Sequence, residues 1–526
     1  MIYGILGGLL LAFAKSKRRG VLALPAIGLL VFGVVNRVAA ASGVADAVGG
    51  ALLVAGLGFL AASVFGRFRG TPLPGLAPLG LIALLGSLVL ASGETVFQAM
   101  NESNADERTA VGAESTDPGA SGPYAESPDA LDSAEADDLK QLLVELGPDD
   151  SLDEIRGLID EAGVEVERAF PRLTLADDVD LAQTLILTGP ADRLETLRRL
   201  LDADRENVDH TEWNGAASIP TPVDVNYSAA IASDGHLEND PRAGDQWALN
   251  VANAHEAHRL LANVTPAKKA VVAIIDTGVD DRHEDIAEVF GGSTGRGDDN
   301  GHGTHCAGIA GAATNNNLGI ASLNWEGRFI EIRSYQALSG FGAGTTEEIA
   351  QAIIDAARDG ADVISLSLGT WAPNPPKVEV EAVEYALDQG AIVVAAAGND
   401  RSDAVEHAPA NIPGVIAVAA VDAGNRRASF SNATTKLDRP LAAPGAGILS
   451  LKSRGGYVEL SGTSMATPFV AGTLGILRAL DPSITAAQAY DLLNQTATAG
   501  PDAGSVGGTV NAGAAVRSIL AATAGV

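Results

Sequence analysis

Apolar residues run almost unbroken through the first 92 positions, with candidate spans at about 1–14, 20–36, 47–66 and 73–92. The last three approach the roughly 20 residues a helix needs to cross a bilayer, and the first is short. None carries the one-sided polar stripe of a soluble helix, so the pattern predicts about four transmembrane helices over 1–92. Residues 93–139 are rich in Ala, Asp, Glu, Ser, Gly and Pro with few large apolar side chains, which predicts an acidic disordered linker. Periodicity returns in 140–215. Gln141–Leu146, Val164–Phe170, Leu181–Leu187 and Val208–Trp213 have the look of short strands. Ser151-Leu152-Asp153-Glu154 opens a helix with a capping box, and Asp192–Ala203 is an amphipathic helix. The β-α-β-β-α-β order predicts an α+β ferredoxin-like domain. Beyond residue 239, continuous apolar runs such as Val271–Ile275 and Ile392–Ala397 are separated by helical stretches. Such runs are expected of buried parallel strands in a doubly wound α/β sheet.

Charge sharpens this division. The formal net charge is −31, distributed as about +6 over residues 1–93, about −26 over 94–240 and about −11 over the remainder. Lys15-Ser16-Lys17-Arg18-Arg19 and Arg67-Phe68-Arg69 are separated by two spans, so both fall on one side, which the positive-inside rule makes cytoplasmic. Four spans then place everything after residue 93 outside the cell. Arg18-Arg19 followed by an apolar run also resembles a twin-arginine export signal, which leaves the number of retained spans open. The acidity is a poor match for nucleic acid. Abundant acids, scarce lysine and few aromatics resemble the composition of halophilic archaeal proteins, whose charge keeps them soluble in strong salt. Cys306 is the only cysteine, so no intramolecular disulfide can form; it is expected to be a small buried filler.

Four short segments carry chemistry. Gly462-Thr463-Ser464-Met465-Ala466-Thr467-Pro468 sets a serine at the start of an apolar helical run, where the helix N-terminus favours developing negative charge. Val271–Gly278 is a buried strand that delivers Asp276 at its C-terminal end, where α/β folds place their sites. Asn300-Gly301-His302-Gly303-Thr304-His305 puts a histidine at the opening of a small-residue helix, and Ile392–Asn399 is a second buried strand that ends in an amide donor. His302 and His305 lie three apart, but no third ligand at helical spacing follows, which argues against zinc and leaves His305 a structural role.

The order Asp276, His302, Ser464, with Asn399 between the last two, resembles the subtilisin-like serine proteases, or subtilases, over residues 237 to about 520. The resemblance implies a subtilisin-like catalytic domain over 239–526, with Ser464 as nucleophile, His302 as general base and acid, Asp276 as its orienting carboxylate, and Asn399 as an oxyanion-hole donor. It implies that Ser367, Leu368 and Gly369 form one wall of the substrate pocket and Ala396, Ala397 and Gly398 the other. Gly342 and Gly344 would lie on the edge that pairs with substrate backbone. A calcium site is implied at Asp240, Asp285, Asn316, Leu318 and Ile320, and no cofactor is needed for the chemistry. Residues 140–215 resemble the family's inhibitory propeptide and 216–238 a processing linker. The expectation is a serine endopeptidase that acts on polypeptides outside the cell, made as an autoprocessed zymogen and anchored in the cell membrane by several spans, either tethered or shed after processing. A non-catalytic membrane sensor or scaffold with the same fold is the alternative.

Overall fold

The computed structural model describes residues 139–220, 237–295 and 297–524. The expected membrane spans in 1–92, and the linker up to residue 138, lie outside them. Among the described residues, no helix is long and apolar enough to cross a membrane.

Strand β1 (Leu139–Leu146) is followed by α1 (Leu152–Ala162), β2 (Glu165–Arg168), the single turn α2 (Val179–Ala182), β3 (Thr184–Pro190), α3 (Ala191–Leu201) and β4 (Val208–Trp213). The sheet order is β2-β3-β1-β4, and the pairs are antiparallel. Ser151 caps α1 through the expected reciprocal box with Glu154. Side chains alternate across β1, so Leu142, Val144 and Leu146 face one way. They form a core with Ile155 and Ile159 of α1 and Leu194, Leu197 and Leu201 of α3. Leu143 points to the other face and joins a different core, described below.

Two strands differ most from the sequence reading. The second strand is shorter than Val164–Phe170, and the third begins at Thr184 rather than Leu181. The Asp178 carboxylate accepts from Leu181 N (3.0 Å) and nucleates a helical turn there, so an apolar pair that looks like strand is helix.

The segment 216–238, expected as linker throughout, begins with a strand instead. β5 (Ala216–Ser218) pairs antiparallel with a strand of the larger domain. Its residues are small, so the backbone can lie flat along an exposed edge whose N–H and C=O groups need partners.

The larger domain opens with α4 (Trp247–Val251) and α5 (Ala254–Leu261) and continues through β6 (Ala270–Asp276), β7 (Phe290–Ser293), α6 (His302–Gly311), β8 (Ile330–Gln336), β9 (Ala343–Thr345), α7 (Thr346–Arg358), β10 (Val363–Leu366), β11 (Thr370–Trp371), α8 (Lys377–Asp388), β12 (Ile392–Ala396), β13 (His407–Ala408), β14 (Ile416–Val421) and β15 (Pro440–Pro444). It closes with the hairpin strands β16 (Ile448–Leu451) and β17 (Tyr457–Leu460), then the long α9 (Thr463–Leu480) and helices α10 (Ala486–Thr496), α11 (Ala503–Val506) and α12 (Ala512–Ala524). Seven parallel strands run in the order β15-β14-β12-β10-β6-β8-β7. Val272 and Ile274 of β6 pack toward α9 with Val470 and Leu474. Ala273 and Ile275 pack the other way against Ile349 and Ile353 of α7. Both faces are therefore covered, as the continuous apolar runs require.

Two buried helices, α6 and α9, lie side by side beneath the site. A Cβ on Gly472 would lie 2.5 Å from the Ala310 carbonyl oxygen, so only glycine lets them approach this closely.

The small sheet rests on the larger domain through α7 and α8. The Glu212 carboxylate accepts from Lys377 N (2.9 Å) and Val378 N (2.8 Å), which caps α8, whose own N-cap Pro376 offers no side-chain bond. Asn214 Oδ1 accepts from Glu347 N (3.1 Å) at the start of α7. Arg172 pairs with Asp355 at 2.6 Å, and Lys377 contacts both Glu145 and Glu381.

Candidate active site

The sheet delivers Asp276 at the C-terminal end of central strand β6, fully buried. His302 begins α6, and its Nδ1 lies 2.8 Å and 2.9 Å from the two Asp276 carboxylate oxygens. The approach is tight. A Cβ on Gly303 would lie 2.1 Å from the Gly278 carbonyl oxygen and 3.0 Å from Asp276 Cβ, so the residue after the histidine must be glycine. Burial by itself would lower the His302 pKa, but the touching Asp276 carboxylate outweighs it and holds the imidazole well above its usual value. That contact also fixes the proton on Nδ1 and leaves Nε2 to face outward.

Ser464 is the second residue of α9 and is 2 % exposed. Its Oγ donates to the Ser367 carbonyl (3.1 Å) rather than to His302. The Ser464 carbonyl is held from the other side, by Ser367 Oγ at 2.8 Å and Cys306 Sγ at 3.4 Å. Cys306 is thus a buried filler that also donates a weak bond. Burial pushes its thiol pKa up, despite the opposing pull of His302, which keeps it protonated and unreactive. His305 donates from Nε2 toward the carbonyls of Ile448 (3.0 Å) and Val458 (3.1 Å), and burial lowers its pKa to about 3. It is neutral and structural, as expected.

Asn399 follows β12. Its Oδ1 accepts from Thr463 N (2.9 Å) and Thr463 Oγ1 (3.0 Å), which turns Nδ2 toward the start of α9. A methyl group on Gly462 would sit 3.2 Å from Asn399 Nδ2 and 3.6 Å from Ser464 N. Both nitrogens therefore border one small volume beside the serine.

The residues expected as substrate walls lie at the ends of two neighbouring strands, β10 and β12. Ser367 and Leu368 are buried just past β10, and Ala396, Ala397 and Gly398 lie at the end of β12. The chain's own segment 216–220 runs between Gly369 and the edge at 342–345. Ser218 N donates to Gly369 O (3.3 Å), Gly369 N donates to Ser218 O (3.0 Å), and Ile219 N donates to Gly342 O (3.0 Å). Ala217 is the register partner of Gly344. Every edge glycine named from sequence is engaged by backbone.

Two positioning residues escaped the sequence reading. Asp298 accepts from Thr277 Oγ1 (3.0 Å), Gly301 N (2.8 Å), Thr304 N (2.9 Å) and Thr304 Oγ1 (2.7 Å), which locks the turn that presents His302. Asn432 is fully buried. It donates to Ala397 O (2.9 Å) and accepts from Asp400 N (3.0 Å) and Ser402 N (2.8 Å), so it shapes the loop that carries Asn399. Asp298 joins its own turn to Thr277, 21 residues earlier, and Asn432 reaches loops 30 or more residues away, so neither has a complete local signature.

Of the residues expected to hold calcium, Asp240, Asp285, Asn316 and Ile320 lie together, and Asn316 and Ile320 present N–H groups to the acids. Asp240 accepts from Asn315 N (2.8 Å) and Asn316 N (3.1 Å), and Asp285 accepts from Asn316 Nδ2 (2.9 Å) and Ile320 N (2.8 Å). Both carboxylates are buried, and neither pairs with a lysine or arginine among the described residues. Burial, followed by the Asp285 charge, pushes Asp240 up to about 6, and burial raises Asp285 as well. Two adjacent buried acids without a paired lysine or arginine among the described residues suit a hard cation.

Residues 267–511 match the family model described as the subtilase family. The chain is 44% identical to thermitase from Thermoactinomyces vulgaris over 223 residues, which is 41% of this chain and 77% of thermitase. It is 36% identical to Subtilisin Savinase from Lederbergia lenta over 277 residues, covering 52% of this chain and 98% of that one. With halolysin from Haloferax mediterranei it shares 39% identity over 283 residues, 51% of this chain and 52% of halolysin. With this similarity joined to the parallel sheet and its C-terminal site, the chain belongs to the subtilase family and is a subtilisin-like serine protease.

Proposed function

We propose that Asp276, His302 and Ser464 are the catalytic triad of an endopeptidase that cleaves polypeptides through an acyl-enzyme, with Asn399 Nδ2 and the Ser464 N–H as its oxyanion hole. The observation that carries the reading is the paired contact of His302 Nδ1 with both Asp276 oxygens, beside a serine at the N-terminus of α9. On substrate binding, the Ser464 hydroxyl turns from the Ser367 carbonyl to His302 Nε2. Oγ attacks the scissile carbonyl carbon as its proton passes to Nε2, and the new oxyanion accepts from Asn399 and Ser464 N. The C–N bond then breaks, and the same proton goes to the departing amine. Water repeats the sequence to release the acid and restore the hydroxyl. Asp276 does not take the proton; it holds the tautomer and stabilises the imidazolium. The test is covalent labelling of the processed enzyme with an organophosphonate. An adduct on Ser464 that is lost in His302→Ala supports the triad, and equal labelling without His302 contradicts it.

The chain is read as an autoprocessed zymogen. Residues 140–215 act as a ferredoxin-like propeptide that buries one sheet face against α7 and α8. Residues 216–220 then lie along the edge at Gly342, Gly344 and Gly369 as the acyl side of a substrate would. Cleavage therefore falls after this segment, within the expected processing region that ends at 238. Asp240, Asp285, the Asn316 amide oxygen and the carbonyls of Leu318 and Ile320 would hold calcium, which would neutralise the two buried acids. The apolar stretch 1–92 supports a membrane anchor with the protease domain outside the cell, shed or tethered after the cut. The net charge of −31 and the similarity to halolysin support a high-salt environment.

A further inference from the structure

A second cluster of ligand-type side chains lies away from the triad, where the chain enters the larger domain. Glu238 Oε1 sits 2.9 Å from His255 Nδ1 and also contacts His258 Nδ1. The two histidines are three residues apart on α5, hence on one helix face. The Glu238 and His258 side chains have no exposure and His255 has 13 %. The donor atoms of the three residues all lie within 4.8 Å of one another.

The His258 tautomer follows from its other nitrogen. Nε2 lies 2.6 Å from the Ser322 carbonyl, which can only accept, so Nε2 carries a proton. A neutral His258 then directs its Nδ1 lone pair into the cluster, at a carboxylate oxygen that also offers only lone pairs. Something positive must lie between them, either a second proton or a metal ion. The ring cannot turn away, since it packs against Trp325 with centroids 5.6 Å apart. A ligating imidazole whose second N–H is tied to a carbonyl is the usual outer-shell arrangement of metal sites.

We propose that Glu238, His255 and His258 form a metal site for a borderline divalent ion, zinc by its ligand chemistry. Two imidazoles and one carboxylate suit zinc and not calcium. Bonds of about 2.0–2.1 Å in tetrahedral geometry place ligand atoms roughly 3.3 Å apart, so the Glu238 oxygen and the two Nδ1 atoms, here in hydrogen-bond contact, would move slightly apart around an ion. The ion ties the segment leading to Asn239 and Asp240 onto α5, and through Ser322 onto the loop that follows residues 315–320. The site stands on these three residues whether or not the chain is processed upstream.

The experiment uses the full chain carrying Ser464→Ala, stripped with EDTA and then held in excess calcium. Zinc is titrated against a chromogenic chelator, and cobalt(II) is added in a parallel sample. The proposal expects one tight zinc equivalent per chain and the visible bands of tetrahedral cobalt without thiolate charge transfer. Affinity should fall about tenfold or more in His255→Ala and in Glu238→Gln, with the fold confirmed by circular dichroism, and should persist in Cys306→Ser. His255 sits at the rim, so its replacement is the variant least exposed to folding failure, and the cobalt spectrum needs no variant at all. Absence of a zinc equivalent would overturn the proposal and leave a carboxylate–imidazolium pair. So would a zinc equivalent unchanged in both variants, or one lost in Cys306→Ser with thiolate bands, which would move the ion to Cys306.

Discussion

Glu379 offers a test of how the small sheet and the larger domain are held together. It lies in the first turn of α8, 1 % exposed. An acid at a helix N-terminus is ordinarily favoured by the dipole. Here the orphan N–H groups of Lys377 and Val378 are already taken by Glu212, and the nearby ammonium of Lys377 is engaged by Glu145 and Glu381. Burial first, and then the Glu212 charge, push Glu379 up to about 8 from an ordinary 4.5. A carboxyl with a raised folded-state pKa contributes stability that is fully present below about pH 4.5 and is lost as pH rises toward 8, because the unfolded chain releases the proton first. At about 1.36 kcal/mol per pKa unit, the loss is roughly 3 kcal/mol between pH 5 and pH 7. Glu379→Gln keeps the shape, removes the titration and can donate to Glu212. In the Ser464→Ala background, denaturant unfolding at pH 5, 6, 7 and 8 should show the variant near wild-type stability at pH 5 and more stable at pH 7 by roughly 2–3 kcal/mol. Parallel pH slopes for the two proteins would refute the reasoning, because they would mean Glu379 does not hold a proton in the folded state.

Three further outcomes are expected. Asn399→Ala should lower kcat by about 10²–10³ with little change in KM, a magnitude taken from the corresponding donor of subtilisin rather than worked from this site; steady-state kinetics on a peptide amide check it. Calcium chelation should destabilise the wild type by about 2.7 kcal/mol if the ion was present at a hundred times its Kd, and Asp285→Asn should abolish the difference between chelated and calcium-loaded protein in thermal unfolding. Diluting salt should lower the melting temperature steadily, since the net charge of −31 repels itself most when screening is weakest; a melting temperature independent of salt would contradict the high-salt reading.

Much of the site was legible because its parts are short and local. A buried strand that ends in an acid, a histidine that opens a glycine-flanked helix, and a serine two residues after Gly462 each state their geometry in a few positions. The parallel sheet was legible from continuous apolar runs, which only a strand covered on both faces can afford. The scaffold alternative required no more than the same fold, and the family similarity now favours the protease. Other features had no local signature. The turn at Val179–Ala182 hides inside apolar residues that suit a strand, and only the Asp178 cap decides the matter. Asn432 acts through partners far along the chain, and Asp298 through its own turn together with distant Thr277. The strand Ala216–Ser218 looked like linker because its small residues form no pattern, and its structure comes from the edge it covers.

The central claim is that Ser464 acts as a nucleophile with His302 and Asp276. The most direct measurement compares wild type with Ser464→Ala by intact mass and by hydrolysis of a peptide substrate, in high salt with calcium. The account predicts that wild type cuts itself after Pro220 and before Glu238 and hydrolyses the peptide. It predicts that Ser464→Ala stays full length and loses essentially all turnover, because triad members act as a unit. A Ser464→Ala protein that retains wild-type turnover, or a folded wild type that remains full length and inert, would contradict it.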